Sequence, residues 1–322
     1  MTDPTILVAG ETLVDFLPER VGPLTDVDGF ERRPGGAPAN VAVALARLGH
    51  VPWFWTRVGD DPFGEFLEAT LAAENVPGEF VERDPDAQTT LAFVTHDADA
   101  DRSFTFYRDR TADTRMEPGT VPDATLADVE TVVAGGVTLA SGRSREATRD
   151  LLARATDAGC TVWFDPNYRP ELWPDDDFAS VVGDVLANVD VLKATDEELR
   201  LLGFDGETLG DLADEALEAG PHTVLATRGA DGSVAFADDG APWGAQTATH
   251  DGYPVEPVDA TGAGDAFLAG AVAGATGGET ELEAILADAN AVAAVATTAA
   301  GAMAASPSRD DVVAFRESAS QR

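Results

Sequence analysis

The stretch VDATGAGDAFLAGAVAGA, residues 258–275, decides the fold of this 322-residue chain. Gly262, Ala263 and Gly264 leave the backbone unencumbered immediately before a helix of small residues. Consecutive N–H groups at a helix N-terminus bind anions, and Asp265 falls in the first turn beside them. A carboxylate there can take the proton of an attacking hydroxyl, although the helix dipole alone also favours an aspartate at a helix start. The stretch therefore predicts an anion site with its own base or, failing that, an ordinary glycine turn before a helix.

A second glycine-rich stretch lies upstream, PGGAPANVAVALARLG at residues 34–49. Gly35 and Gly36 let the chain approach a ligand closely, and Asn40 offers a donor and an acceptor to a sugar hydroxyl, although a simple helix cap also explains it. DATGAGD before an apolar helix, with this stretch about 220 residues earlier, resembles the two signatures of the ribokinase-like (PfkB) carbohydrate kinase family. The segments GGAPANVA, TTLAFV, FYR followed by AD, and DPNYRPELW resemble its fructokinase-type branch.

The resemblance implies a sugar site built from several segments. Asp15 of GETLVDF stands where the family's substrate-binding aspartate lies, and RSFTFYRDRTAD places Tyr107 and Arg108 in the lid segment that touches sugar. DPNYRPELW brings Asn167 and Arg169 to the end of a central strand, where α/β sheets bind ligands. Taken without the family, these charged side chains are as readily explained as solvated surface groups. The implied substrate-binding residues are Asp15, Gly35, Gly36, Asn40, Tyr107, Arg108 and Arg169.

The resemblance also implies an ATP site. LKATDEEL is similar to the family's Asn-x-x-Glu element, in which Glu198 would organise magnesium and phosphate through water, and Thr195 stands in place of the usual asparagine. Thr227, Arg228 and Gly229 match the loop beside the ATP ribose and phosphates. ATP is the implied co-substrate and Mg²⁺ the implied cofactor, with no direct protein ligand to the metal. The implied ATP-binding residues are Lys193, Thr195, Glu198, Thr227, Arg228, Gly229, Gly232 and Asn290.

Short β-rich runs alternate with helical stretches through most of the chain, as in ILVAG, NVAVALARLG and VPWFWTRVG. This alternation predicts a mostly parallel sheet with helices on both faces. Residues 11–33 and approximately 87–115 lack a helical period and contain alternating strands, which predict a small sheet that closes as a lid over a reacting phosphate. With the resemblance, we expect an α/β, ribokinase-like three-layer sandwich, with one kinase domain over residues 1–322 and the lid inserted in it.

The most unusual property of the composition is its excess of acidic residues. The chain has 58 Asp and Glu against 21 Lys and Arg, a formal net charge of −37. Such a charge opposes binding to nucleic acid or an anionic membrane, so we expect neither as a partner. Dense surface carboxylates are tolerated in molar salt, where the Debye length is about 3 Å, and the composition therefore indicates a halophilic organism. The N-terminus is too short and too acidic for a signal peptide, and no apolar run reaches the length of a membrane span, so we expect a cytoplasmic protein.

The sequence lacks the motifs of several other classes of protein. The single cysteine, Cys160, excludes an internal disulfide, and the four histidines show no metal-binding spacing. There is no GxxxxGK[ST] phosphate loop, and the only lysine, Lys193, lies outside any glycine-rich loop. The first predicted strand continues into another strand and not into a helix, so a dinucleotide-binding Rossmann start also fails.

The expected activity is ATP-dependent phosphorylation of a sugar hydroxyl, with fructose as the sugar and Asp265 as the base. A 2-keto-3-deoxygluconate kinase or a ketohexokinase on the same fold is the alternative within this class, since Arg108 and Arg169 could face a substrate carboxylate. A nucleoside kinase and a non-catalytic sugar-binding regulator are the alternatives outside it. Family members often pair through the lid sheet, so a homodimer is a further possibility.

Overall fold

The computed structural model describes residues 3–20, 22–96, 102–140, 142–173 and 177–319. Within the predicted lid segments, residues 21 and 97–101 lie outside the described residues. The described strands, in chain order, are β1 (Ile6–Ala9), β2 (Leu13–Pro18), β3 (Phe30–Gly35), β4 (Trp53–Gly59), β5 (Val81–Asp84), β6 (Leu91–His96), β7 (Arg102–Tyr107), β8 (Thr131–Gly135), β9 (Thr161–Asp165), β10 (Val191–Thr195), β11 (Thr223–Thr227), β12 (Ser233–Ala237) and β13 (Gln246–His250).

Helices connect most of these strands. The described α-helices are α1 (Ala37–Arg47), α2 (Pro62–Ala73), α3 (Asp123–Asp128), α4 (Gly142–Ala158), α5 (Phe178–Gly183), α6 (Asp196–Leu201), α7 (Leu209–Glu218), α8 (Ala263–Thr276), α9 (Leu282–Ala296), α10 (Ala302–Ala305) and α11 (Arg309–Ala319). Short 3₁₀ helices cover Leu24–Asp26, Ala112–Arg115, Gly136–Leu139, Pro170–Leu172, Leu186–Asn188 and Gly229–Asp231. No helix in the described part of the chain is long and apolar enough to cross a membrane.

The central sheet contains nine strands in the order β13-β12-β11-β10-β9-β8-β1-β4-β5. Neighbours from β11 to β5 run parallel, whereas β12 and β13 are antiparallel additions at one edge. The order of connection reverses at β1, which lies between β4 and β8. A crevice at the carboxyl ends of the strands on either side of such a switch point is where open α/β sheets bind ligands.

Helices cover both faces of this sheet, which gives the predicted three layers. Ile6 and Val8 of β1 pack in a core cluster with residues of α1, α8 and α9, while Leu7 and Ala9 pack on the opposite face with residues of α4 and α7. Burial of β1 on both faces explains why ILVA reads as a continuous apolar run rather than an alternation. The predicted α/β fold class is therefore confirmed.

The lid is a separate four-stranded sheet in the order β3-β2-β6-β7, in which only β2 and β6 pair in parallel. Its first strand follows β1 after residues 10–12, so the lid begins at the switch point of the central sheet. Side chains alternate across it, with Leu13 and Asp15 toward the cleft and Phe16 on the outer face, packed against Phe93. The predicted lid strands are thus present where they are described.

Candidate active site

A cleft of about 530 Å³ lies between the lid and the carboxyl edge of the central sheet. Glu11 and Gly36 lie in its wall near the root of the lid. The lid lines the cleft with Leu13, Asp15, Phe104 and Phe106, and the core lines it with Asn40, Asn167, Arg169 and Asp265, among others. Sequence-predicted residues from four separate segments are therefore brought together in one cavity.

Asp265 lies in the first turn of α8, where only 8% of the residue is exposed. Its Oδ2 accepts a hydrogen bond of 2.7 Å from Asn40 Nδ2. Burial raises the pKa of Asp265 to about 6, against the lowering effects of the Asn40 hydrogen bond and of the Lys193 and Arg169 charges. A carboxylate with a pKa near the working pH is suited to act as a general base.

The N-terminus of α8 is open, as the glycine turn predicts. Gly262 is the N-cap residue, with a left-handed backbone (φ 77°) and no side-chain cap. The Ala263 N–H already donates to the Ala260 carbonyl at 3.2 Å, which corrects its predicted role as an anion donor. The predicted anion-binding role therefore rests on the Gly264 N–H and not on both amides.

Lys193 places a positive charge beside this helix end. A Cβ added to Gly264 would lie 3.2 Å from Lys193 Nζ, and Nζ donates to Asp165 Oδ2 at 2.8 Å. Both side chains of this ion pair are about 95% buried. Burial lowers the pKa of Lys193, but the Asp165, Glu198 and Asp265 carboxylates outweigh it and hold the pKa above its ordinary value. Lys193 is consequently a fixed cation next to the open end of α8.

Asp15 and Arg169 both line the cleft, and their charges interact. Burial raises the pKa of Asp15 to about 7, while Arg169 lowers it and Asp265 raises it. Gly35, on the neighbouring strand, makes room for this carboxylate, since a Cβ there would lie 2.1 Å from Asp15 Oδ2. Gly35 thus supports Asp15 and is not itself among the lining residues, whereas Gly36 lines the cleft.

Arg169 is held by its surroundings on the core side. Its Nη1 donates to the Tyr168 carbonyl at 2.8 Å, and its guanidinium carbon lies 5.9 Å from the centre of the Phe104 ring of the lid. Asn167 precedes it in a left-handed conformation (φ 46°), with its N–H bonded to Asp165 Oδ1 at 3.0 Å. Asp165 therefore organises both the Lys193 cation and the turn that presents Asn167 and Arg169.

Most of the predicted ATP residues lie at or just beyond the carboxyl ends of the adjacent strands β10 and β11, whereas Lys193 lies within β10 and Asn290 within α9. Thr195 of β10 pairs with Thr227 of β11, so both end at the same edge of the sheet. Glu198 and Thr195 form a capping box at the start of α6, and Glu198 Oε1 also accepts from the Tyr168 N–H at 2.9 Å. Both Glu198 oxygens thus accept hydrogen bonds within the protein, and the described residues hold no cluster of three metal-binding side chains.

The loop after β11 is a tight turn. The Arg228 N–H donates to the Gly232 carbonyl at 2.8 Å, and Gly229 and Gly232 both adopt positive φ. A Cβ at Gly232 would lie 2.0 Å from the His250 carbonyl oxygen, so the turn requires glycine there. Asn290 has another role: its amide donates to Ser233 Oγ and to the Leu286 carbonyl, both at 2.7 Å, and joins α9 to β12. These two hydrogen bonds explain why Asn290 is buried within a helix, and the explanation does not require a contact with ATP.

Two predicted sugar contacts do not reach the cleft. Tyr107 lies on the outer face of the lid, 61% exposed and 5.5 Å from the Phe93 ring, because side chains alternate along β7 and Phe106 points inward instead. Arg108 is buried, and its Nε donates to Asp113 Oδ2 at 2.6 Å at the root of the lid. Arg108 does not line the cleft, and its Nε is held by Asp113, so we correct Arg108 from a sugar ligand to a support of the lid.

The sequence analysis missed four residues around the cleft, and the sequence contains a pattern that predicts all of them except Glu11. Phe104 and Phe106 line the cleft and stack with ring centres 5.6 Å apart, and the alternation of RSFTFY could have assigned them to one face. Asp165 ends an apolar strand, which is the usual place for a functional carboxylate in this fold class. Glu11 follows β1 directly and is 2% exposed, and no motif distinguished it from the many surface acids.

The fold and the site together define a kinase that phosphorylates small alcohols under a β-sheet lid. The chain belongs to the pfkB family of carbohydrate kinases, since the family profile matches residues 3–309. It is 37% identical to a fructokinase from Klebsiella pneumoniae over 313 residues, which covers 95% of this chain and 97% of that protein.

Two solved structures are similar over nearly the whole chain. A fructokinase with bound ATP from Xylella fastidiosa superimposes with a TM-score of 0.85 at 32% identity and 98% coverage of both chains. A putative ribokinase II from E. coli, in complex with ATP and Mg²⁺, has a TM-score of 0.87 at 27% identity, with 98% of this chain and 99% of that chain covered. The chain is therefore an ATP-dependent sugar kinase, as its sequence predicts.

Proposed function

We propose that the protein transfers the γ-phosphoryl group of ATP to a hydroxyl of fructose, with Asp265 as the general base. The observation that carries the proposal is the Asp265 carboxylate, buried in the cleft, bonded to Asn40, and raised in pKa to about 6 beside an open helix N-terminus. The names of the fructokinases to which the chain is similar support fructose as the acceptor.

In this mechanism the lid closes over the sugar and excludes water. Asp15, Asn40, Gly36 and Arg169 position the sugar. Asp265 takes the proton of the attacking hydroxyl as that oxygen bonds to the γ-phosphorus of ATP, while the bond from this phosphorus to the bridging oxygen breaks and ADP leaves. The Gly264 N–H and the Lys193 ammonium stabilise the charge on the transferred group. Thr195, Thr227, Arg228, Gly229 and Gly232 hold the nucleotide at the neighbouring strand ends.

Magnesium fits this site as an ion carried by the ATP phosphates. Glu198 is held by hydrogen bonds to both of its oxygens, and a fixed carboxylate beside the nucleotide would hold the ion directly or through the waters that Mg²⁺ usually keeps. When bound, Mg²⁺ neutralises charge on the phosphates. The protein's own contribution remains the positions of Lys193, the α8 terminus and Asp265.

A neutral acceptor fits the charges of the cleft better than a sugar acid. Arg169 and Asp15 both line the cleft, and the Arg169 charge acts on the Asp15 carboxyl. A substrate carboxylate would join Asp15, Asp265 and Glu11 in a confined space, where like charges raise the energy of the complex. 2-Keto-3-deoxygluconate is therefore the weaker candidate, and a neutral ketohexose the stronger.

The proposal extends to the setting of the enzyme. An ATP donor and a single cysteine agree with a cytoplasmic location, and the net charge of −37 agrees with a halophilic cell.

The aromatic outer face of the lid, with Phe16, Phe93 and the exposed Tyr107, is the surface through which two copies would pair. Sedimentation should give a dimer that Tyr107→Ser weakens, and a monomeric wild type would contradict this pairing.

A coupled ADP-release assay in about 2 M KCl with Mg²⁺ and ATP tests the function, because screened surface charge keeps the protein folded. Fructose, 2-keto-3-deoxygluconate, glucose, ribose and adenosine are offered separately. Turnover with fructose in preference to the others is expected. Turnover with the keto acid alone would show that the acceptor is 2-keto-3-deoxygluconate and not fructose. Turnover with adenosine would indicate a nucleoside kinase. No turnover by a folded sample would support a non-catalytic regulator.

A further inference from the structure

We propose that Glu11 is a positioning residue for the base: from the root of the lid it caps helix α1 and thereby holds Asn40 against the Asp265 carboxylate. The inference rests on the proposed function, in which Asp265 takes the proton. It assigns a role to a buried carboxylate that the mechanism described so far does not use.

Helix α1 lacks a cap of its own. Its N-cap residue is Gly36, in a positive-φ conformation (φ 101°) with no side chain to bond the first N–H groups. The Ala37 N–H instead donates to Glu11 Oε1 at 3.3 Å. A carboxylate at a helix N-terminus is favoured both by this hydrogen bond and by the helix dipole. Glu11 therefore supplies, from outside the helix, the hydrogen-bond acceptor for the first turn that Gly36 lacks.

The same turn of α1 carries Asn40. The Asn40 N–H donates to the Gly36 carbonyl at 2.9 Å, and its side chain donates to Asp265 Oδ2 at 2.7 Å. One end of this chain of contacts is Glu11 and the other is the base. Loss of the Glu11 cap would loosen the first turn of α1 and lengthen or misdirect the bond from Asn40.

Residues 10–12 are fitted closely against the start of α1. Thr12 Oγ1 donates to the Gly35 carbonyl at 3.2 Å, and a Cβ on Gly36 would lie 2.5 Å from the Glu11 carbonyl oxygen. This close approach leaves no room for the Glu11 backbone to move independently of α1. The Glu11 side chain is consequently a fixed cap.

Glu11 occupies this position at an energetic cost. Its Oε2 is buried and has no hydrogen-bond partner among the described residues, and the same is true of Arg108 Nη2. Burial raises the pKa of Glu11 to about 7, Arg108 lowers it, and Asp113 raises it. An unsatisfied buried carboxylate destabilises a fold, so a role in function explains Glu11 better than a role in stability.

The pH dependence of turnover separates this role from simple folding. The charges facing Asp265 are Asp165, Lys193, Arg169 and Asp15, and its hydrogen-bond donor is Asn40. Glu11 also lines the cleft, and loss of its negative charge alone would lower the pKa of Asp265, so an upward shift reports the loss of the Asn40 bond. Because the Asn40 bond lowers the pKa of Asp265, its loss should move the acid limb of the kcat profile to higher pH.

The experiment measures kcat for ADP release with fructose from about pH 5 to about pH 9 for the wild type, Glu11→Ala, Glu11→Gln, Asn40→Ala and the double variant. We expect Glu11→Ala and Asn40→Ala each to lower kcat about 10-fold and to shift the acid limb upward. The double variant should show no further shift, because both changes remove one bond. Glu11→Gln, whose amide oxygen can still accept from Ala37, should stay within about threefold of wild type.

A matched control removes the cap of a helix remote from the cleft. Thr208 caps α7, and Thr208→Ala should lower the melting temperature without moving the acid limb. If Glu11→Ala does not fold, Glu11→Asp keeps the charge but shortens the reach, and the same upward shift is expected. An unshifted acid limb or additive effects in the double variant would overturn the positioning role, whereas a wild type that turns over no sugar would overturn the proposed function itself.

Discussion

At the scale of single residues, the environment assigns different tasks to four similar carboxylates around the cleft. Asp165 is bound to Lys193 and the Asn167 amide, so it acts as an organiser. Asp265 has one donor, Asn40, and burial keeps its pKa at about 6, so it can exchange a proton. Asp15 faces Arg169, and Glu11 has one unpartnered oxygen. Partners rather than residue type decide which acid is the base.

The buried Glu11 carboxylate predicts a gain in stability for Glu11→Gln at alkaline pH. Its pKa is raised from 4.5 in the unfolded chain to about 7 in the folded state, so the folded protein binds more protons and loses stability as the pH rises through that window. Glutamine does not titrate. The unfolding free energy of Glu11→Gln, relative to that of the wild type, should therefore rise by about 3 kcal/mol between about pH 4 and about pH 8.

Urea unfolding in molar salt at several pH values measures this difference. The control is Glu79→Gln, since Glu79 is exposed and has no such burial. A difference between Glu11→Gln and wild type that is independent of pH would contradict the assignment of a raised pKa to Glu11.

At the scale of elements, the glycine turn and small-residue helix at residues 258–275 were predictable because their backbone conformation and close packing require glycine and other small residues. Gly262 must adopt φ 77°, and a Cβ on Gly270 would lie 2.9 Å from the Ala289 Cα, so α8 and α9 pack closely only with glycine there. Asp265 followed from its place in the first turn. The fold class likewise followed from strand and helix alternation.

Other parts of the site depend on contacts between distant segments, which one sequence does not contain. The bond from Asn40 to Asp265 joins residues 225 apart, and the Arg108–Asp113 pair is recognised only once both are seen to be buried. Tyr107 and Phe106 illustrate a different limit. A motif located the right strand, but only the alternation of side chains decides which of two neighbours faces the cleft.

The two faces of β7 should therefore respond differently to truncation. Phe106→Ala removes an apolar wall of the cleft, and we expect KM for fructose to rise about 10-fold with little change in kcat, as loss of uniform binding predicts. Thr105→Ala, at the exposed position between the two phenylalanines, is the matched control and should leave KM unchanged. Steady-state kinetics give both values, and equal KM values for the two variants would refute the inward assignment of Phe106.

At the scale of the whole molecule, charge is the dominant feature. A formal −37 over 322 residues means that the surface carboxylates repel one another, and few basic residues are available to offset them. Several arginines are shared among acids, as where Arg154 forms ion pairs with both Asp123 and Asp150. Salt that screens the repulsion should stabilise the folded state, because the unfolded chain spreads the same charges over a larger volume.

We expect the melting temperature to rise by roughly 10 °C or more between about 0.1 M and about 2 M KCl, as the Debye length falls from about 10 Å to below about 3 Å. A variant with three exposed acids neutralised, Asp214→Asn, Glu218→Gln and Glu283→Gln, should show a smaller rise. Differential scanning calorimetry measures both proteins, and a melting temperature that is independent of KCl would contradict the electrostatic account.

The central claim is that Asp265 is the base of a sugar kinase, and single-turnover phosphoryl transfer by Asp265→Asn tests it most directly. With saturating ATP, Mg²⁺ and fructose, the variant should form sugar phosphate about 10²–10⁴-fold more slowly than the wild type, the range for loss of a general base. Calorimetric titration should give nearly unchanged affinities for both ligands, since asparagine preserves shape and the bond with Asn40. A transfer rate equal to that of the wild type would show that another group takes the proton and would contradict the account.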